Sequence, residues 1–190
     1  LPSDLLNSAS TQLPIIFFAY LFNSSIVGFY ALAQRVISMP VTLIATSIGQ
    51  VFFRDASSLS YDMEKFSDLT SEVYSKLLYI SVVPFSLLII FSEQIFQFAF
   101  GKNWLVAGQY SQVLSCWMLF VFIGSPLSTI VSILGRQKQL LYFNSALFFA
   151  RFLALLTGGI ILNDAYSTIT LYALVGCIFW LGWIIYLLRT

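Results

Sequence analysis

The chain has 190 residues, 59% of them hydrophobic and only 9% charged, with a mean hydropathy of +0.89. Soluble domains carry roughly a quarter charged residues, so neither a water-facing globule nor a disordered chain fits this composition. A net charge of +1 without a basic stripe excludes a nucleic-acid partner.

A bilayer span needs ~20 apolar residues. In chain order the expected helices are 5–22, 26–53, 74–92, 113–134, 140–162 and 167–188. The first is polar in its leading half, where Asn7, Ser8, Ser10, Thr11 and Gln12 call for a protein-facing or wet environment. The break after it is assigned to Asn23-Ser24-Ser25, a turn-forming run, because Ala33-Gln34-Arg35 has good helix propensity and no turn former. Asn23 begins a glycosylation sequon in a connection too short to present it. Pro14, Pro40, Pro84 and Pro126 all fall within expected spans.

Residues 54–73 form the only sizeable polar stretch and are expected as a part-helical connecting loop. Glu93 to Trp104 is expected as a short amphipathic loop at the other end, with Trp104 as an interfacial anchor. Arg54, Lys65, Lys76, Arg136, Lys138 and Arg189 then share one end, against Lys102 alone at the other. By the positive-inside rule the six-residue end is cytoplasmic, which puts both chain ends there. The start at Leu1-Pro2-Ser3-Asp4, without Met or signal-peptide pattern, suggests a piece of a longer chain.

Chemistry is constrained by what is missing. There is no histidine, no phosphate loop and no carboxylate pair within a span, so no enzyme activity, cofactor or metal site is expected. Cys116 and Cys177 lie apart in apolar runs and read as small hydrophobic residues. No carboxylate lies mid-membrane to couple a proton or sodium ion.

What is present is two intramembrane arginines. Arg35 and Arg151 sit ~14 and ~16 Å deep by helical rise, at similar height, where a charge normally faces a bundle interior or wet cavity. Gly28, Ala31, Arg35, Ser38, Thr42, Thr46 and Gly49 recur at steps of three or four, making one polar stripe on the second helix. Asn144, Arg151 and Gly158 are seven apart on one face of the fifth. The candidate substrate-binding residues are therefore Arg35, Arg151, Ser38, Thr42 and Asn144. The plainer alternative is that small residues pack helices and the arginines snorkel or bond a carbonyl. Tyr20, Tyr30, Trp117, Tyr142 and Trp180 could stack on sugars, although lipid-facing or interfacial positions are the default for such rings.

Two stretches, LLNSASTQLPIIFFAYLFNSSIVGFYALAQRVISMPVTLIATSIGQVFFRDAS (5–57) and FGKNWLVAGQYSQVLSCW with SPLSTIVSILGRQKQLLYFNSALFFAR (100–151), carry a family pattern. Its elements are Val27-Gly28, Tyr30 to Ala33, Arg35-Val36, Pro40, Ile48 to Phe52, and Ser125 to Ser128 followed by Gly135 to Lys138. The chain resembles the carboxy-terminal half of bacterial oligosaccharide flippases, which handle lipid-linked O-antigen and polysaccharide repeat units. These belong to the multidrug, oligosaccharidyl-lipid and polysaccharide exporter superfamily. Cys116-Trp117 departs from the Pro-Trp often seen there.

The resemblance implies an all-α, six-helix lobe (1–190) of a twelve-helix transporter in the bacterial inner membrane. An absent amino-terminal lobe would complete the cavity. It also implies a substrate, an oligosaccharide on a polyprenyl pyrophosphate, turned between leaflets among the membrane lipids for surface polysaccharide biosynthesis. The closest alternative is a multidrug or metabolite exporter of the same superfamily, expected to need a mid-membrane carboxylate.

Overall fold

A computed structural model describes residues 2–59 and 61–189, with side chains described from Leu5 onward. The described residues are almost entirely helical and include no strand. Seven α-helices follow in order: α1 (Pro2–Leu21), α2 (Ser24–Ser58), α3 (Met63–Phe100), α4 (Leu105–Leu127), α5 (Thr129–Ile133), α6 (Gln137–Leu156) and α7 (Ala165–Leu188). A 3₁₀ turn over Lys102–Trp104 precedes α4, and a π-helical stretch over Thr157–Leu162 extends α6.

Local chemistry places the breaks. The Asn23 side chain accepts a hydrogen bond from the Ile26 amide at 3.0 Å, satisfying one of the free donors at the start of α2. That side chain is thereby a helix cap, and Arg35 lies well inside α2. Asp62 caps α3 and Asp164 caps α7 in the same way, through the Lys65 and Ser167 amides. Gly101, at φ +95°, closes α3 in a conformation that a side chain would strain. Pro126 lies in the last turn of α4, and only the short α5 intervenes before the turn into α6.

Two expected loops are in fact helix. Through the polar stretch 54–73, α2 runs on to Ser58 and α3 begins at Met63. Close charge pairs explain why polar sequence stays helical there: Lys65 with Asp62 at 2.8 Å and Lys76 with Glu72 at 2.6 Å, spaced for one helix face. Likewise Glu93–Phe100 is not loop but the final two turns of α3. Trp104 meets Phe29 edge-on at 5.7 Å, so it is fastened to α2 rather than serving only as an interfacial anchor.

Five helical segments have the length and composition to cross a membrane, and Leu5–Leu21 is a shorter apolar helix. The chain is therefore a multi-pass membrane protein. At 35 and 38 residues, α2 and α3 are ~52 and ~57 Å long, well beyond the ~30 Å hydrocarbon core. Their polar ends extend past the bilayer as a helical hairpin.

Helix α4 is central, packed against α2, α3 and α7, while α1 packs on α6 and α6 on α7. The strongly hydrophobic α4 sequence suits that place, since Leu114, Trp117, Phe122 and Leu127 are all buried. Close approaches are made at small residues, as in membrane bundles generally. A Cβ on Gly108 would lie 2.7 Å from the Glu93 Cα, and one on Gly158 only 2.6 Å from the Thr168 Cα. For Gly158, packing is thus the observed role. Tyr20, Tyr79, Phe98 and Tyr142 face outward.

The bundle's two ends can be assigned from contacts. Gly49 approaches Pro126, and the Trp183 indole donates to Ser128 Oγ at 3.0 Å, so the later parts of α2, α4 and α7 share one end. Phe29, Trp104, Leu21 and Gly159 meet toward the other.

Gly158→Leu is expected to destabilise the bundle by about 1–3 kcal/mol through overpacking against backbone, read as a lower melting temperature in detergent. Hydrogen bonds from the Ser167 amide and side chain hold the Asp164 carboxyl below its ordinary range. Its capping contribution is therefore complete above the unfolded-state value near ~3.9 and fades as pH falls through the lower folded value. Asp164→Ala should cost about 1 kcal/mol at neutral pH, with the difference from wild type closing in strong acid.

Candidate functional site

The principal cavity has a volume of about 710 Å³ and lies between α1, α2, α4, α6 and α7. Helix α2 supplies most of its wall, including Ala31, Gln34, Arg35, Ser38, Thr42 and Thr46. Helix α1 adds Asn7, Thr11 and Gln12, which gives its polar leading half the wet, protein-facing environment that such a sequence needs. Trp117 and Ser125 come from α4, Arg151 from α6 and Trp180 from α7. No Asp or Glu lines the cavity among the described residues.

Four of the five candidate residues therefore converge: Arg35, Ser38, Thr42 and Arg151. Asn144 does not. It is buried two turns before Arg151 and is absent from the cavity wall, because the seven-residue step on a straight helix also advances ~10 Å along the axis.

The two arginines differ in kind. Arg35 is exposed on the cavity face of α2, whereas Arg151 is only 1% exposed. The Arg151 guanidinium fills a corner made by two perpendicular rings, 4.2 Å from the Trp117 centroid and 4.6 Å from that of Tyr172. Such contacts are worth about 2 kcal/mol or more when water is excluded. Nη1 donates to Ser10 Oγ at 3.3 Å, and the Tyr172 hydroxyl donates to the Ser10 carbonyl at 3.1 Å. One residue of α1 thus ties α6 to α7. Gly176 makes the room, since a Cβ there would lie 2.5 Å from Trp117 Cδ1 and 2.9 Å from Arg151 Nη2. Snorkelling does not describe this arginine.

The site is polar but underpaired. Arg151 Nε and Nη2, the Trp117 indole nitrogen and Gln34 Oε1 are buried and have no hydrogen-bond partner. Three of the residues lining one cavity therefore hold unused hydrogen-bonding capacity, a costly state in low dielectric. The threonines are biased the other way. Thr42 donates to the Ser38 carbonyl at 2.8 Å and Thr46 to the Thr42 carbonyl at 2.7 Å, leaving their oxygens to the cavity as acceptors.

Sequence reasoning missed Gln34, Ser10, Tyr172 and Gly176, and assigned Trp117 and Trp180 by default to lipid or interface; both are at most 9% exposed and line the cavity. The signal for Gln34 was available, one position before Arg35 on the same helix. For Ser10 and Tyr172 there was none, because they meet Arg151 across 141 and 21 residues of chain respectively. A second depression of about 420 Å³ along α2, reaching Gln50 and Thr129, shares Ala45, Thr46 and Ser125 with the first.

The family model described as polysaccharide biosynthesis protein matches residues 1–109. That is more than half of the chain, and the chain belongs to this family. It is accordingly a membrane protein of a polysaccharide-biosynthesis family. No curated protein matches it, and no solved structure does. The matched segment contains Arg35, Ser38 and Thr42, whereas Asn144 and Arg151 lie beyond it.

Because Arg151 is held jointly by Trp117, Tyr172 and Ser10, Arg151→Met should lower the melting temperature of the purified protein by about 5 °C or more, as expected for a loss well over ~1 kcal/mol in a chain this long. An unchanged melting temperature would show that the bundle does not depend on this side chain.

Proposed function

We propose that the chain translocates polyprenyl-pyrophosphate-linked oligosaccharide repeat units across the bacterial cytoplasmic membrane. It does so as a transporter rather than an enzyme, with both ends of this segment cytoplasmic. The observation that carries the reading is two arginines on the wall of one cavity within a membrane bundle, with no carboxylate among the described residues that line it. Membership of a polysaccharide-biosynthesis family supports a sugar-bearing substrate.

In this reading Arg35, exposed and always charged, takes the pyrophosphate through bidentate hydrogen bonds. Arg151, buried behind it, supplies positive potential rather than a direct contact. Ser38, Thr42 and Thr46 accept hydrogen bonds from sugar hydroxyls, and the polyprenyl tail stays in lipid. Asn144 supports α6 rather than touching substrate. A second six-helix lobe, preceding this one in a twelve-helix chain, closes the other side of the cavity, and rocking of the lobes alternates access.

The test is the leaflet distribution of lipid-linked oligosaccharide in cells carrying the full-length gene, a deletion or Arg35→Ala at matched protein level. The deletion and Arg35→Ala should both accumulate the intermediate on the cytoplasmic face. Loss of a charged bidentate contact predicts a rate lowered about ten- to hundred-fold, with Arg35→Lys recovering part of it. Normal export by Arg35→Ala would remove this residue from the transport path, and an unchanged distribution in the deletion would remove the sugar-lipid substrate.

A further inference from the structure

Away from the central cavity, a second polar hollow of about 480 Å³ lies where α6 begins and α7 ends. It is lined by Arg136, Gly182, Ile185, Tyr186 and Arg189. We infer that it binds the headgroup of an anionic glycerophospholipid, with the phosphate between Arg136 and Arg189 and an acyl chain descending over Gly182 and Ile185. This site is separate from the transport cavity and does not depend on the substrate proposed for it.

Its charge has no ion-pair partner among the described residues. The ion pairs among the described residues join Arg54 to Asp55, Lys65 to Asp62 and Lys76 to Glu72, all on the α2–α3 hairpin. Neither Arg136 nor Arg189 has a carboxylate within 4.0 Å among the described residues. Both are exposed, so each guanidinium keeps its donors for an incoming oxyanion.

The hollow has a fixed frame. Gly135, at φ +67°, turns the chain so that the Arg136 amide donates to the Val131 carbonyl at 2.8 Å, and Arg136 then opens α6. Tyr186 donates to Gln139 Oε1 and stacks on Trp183, which stacks in turn on Phe143 at 4.5 Å. The wall is thus bonded across α6 and α7 before any ligand arrives.

Its apolar edge distinguishes a lipid from a soluble anion. Ile178, Leu181, Ile185 and Leu188 are exposed at steps of three and four, forming one outward stripe of α7. Ile185 belongs both to that stripe and to the hollow, so the site opens onto hydrocarbon. A Cβ on Gly182 would meet nothing within 4 Å, so the surface beside the stripe is open at that point. Basic hollows at the ends of membrane helices take anionic headgroups on these physical grounds.

The test uses the full-length protein in phosphatidylcholine nanodiscs with or without phosphatidylglycerol, with retained lipid counted by native mass spectrometry. Wild type should retain phosphatidylglycerol in preference to phosphatidylcholine. Arg136→Gln with Arg189→Gln should lower that retention on the order of thirty-fold, from two lost surface cations. Gly182→Leu, which places a side chain in the open space of the hollow's lining and keeps both charges, should lower it as well. Lys65→Gln with Lys76→Gln should leave it unchanged.

Equal retention in the Arg136/Arg189 variant overturns the site, as does an equal loss in the Lys65/Lys76 control. If Gly182→Leu retains phosphatidylglycerol like wild type while inorganic phosphate displaces it, the hollow is a soluble-anion site and the lipid assignment fails.

Discussion

A guanidinium withdrawn from water needs compensation, and Arg151 receives it from two aromatic faces and one serine rather than from a carboxylate. The arrangement of the bundle follows from that requirement. Trp117 must come from α4, Tyr172 and the clearance at Gly176 from α7, and Ser10 from α1, so one side chain on α6 brings four helices into register. The compensation is incomplete, because Nε and Nη2 remain without acceptors. A carboxylate would have neutralised the charge and with it the positive potential of the cavity; aromatic faces hold the cation and leave its field available.

The division of labour between the two arginines follows from their surroundings. Arg35 stands on a stripe whose threonine hydroxyls are already committed to their own helix, so its donors face a wall of acceptors. Arg151 is buried and nearly inaccessible. Under the proposed function, an exposed cation in front of a buried one would give an anion a place to land without trapping it between two equally tight clamps.

Much of this was legible in the sequence where periodicity or capping chemistry is local. Asn23 marked the start of α2, the polar half of α1 announced a wet face, and the spacing of Arg35, Ser38, Thr42 and Thr46 put them on one wall. Polarity misled at both ends of α3, since charged residues were read as loop when spacings such as Glu72 to Lys76 favour helix outside the membrane as well as within it. Asn144 shared a helical face with Arg151 but not its level, and a wheel projection discards that coordinate. The corner that holds Arg151 was not legible, because Ser10 and Tyr172 approach it only after the helices pack.

The unbroken course of α2 gives the molecule a lever. Its earlier turns carry Arg35 on the cavity wall, and its last turn lies at the hairpin beyond the bilayer. Across ~52 Å of helix, a tilt of about 10° displaces the far tip by roughly 9 Å. A small tilt of α2 at the cavity would thereby be amplified into a large displacement of the hairpin, which makes the hairpin the sensitive place to attach a probe of motion.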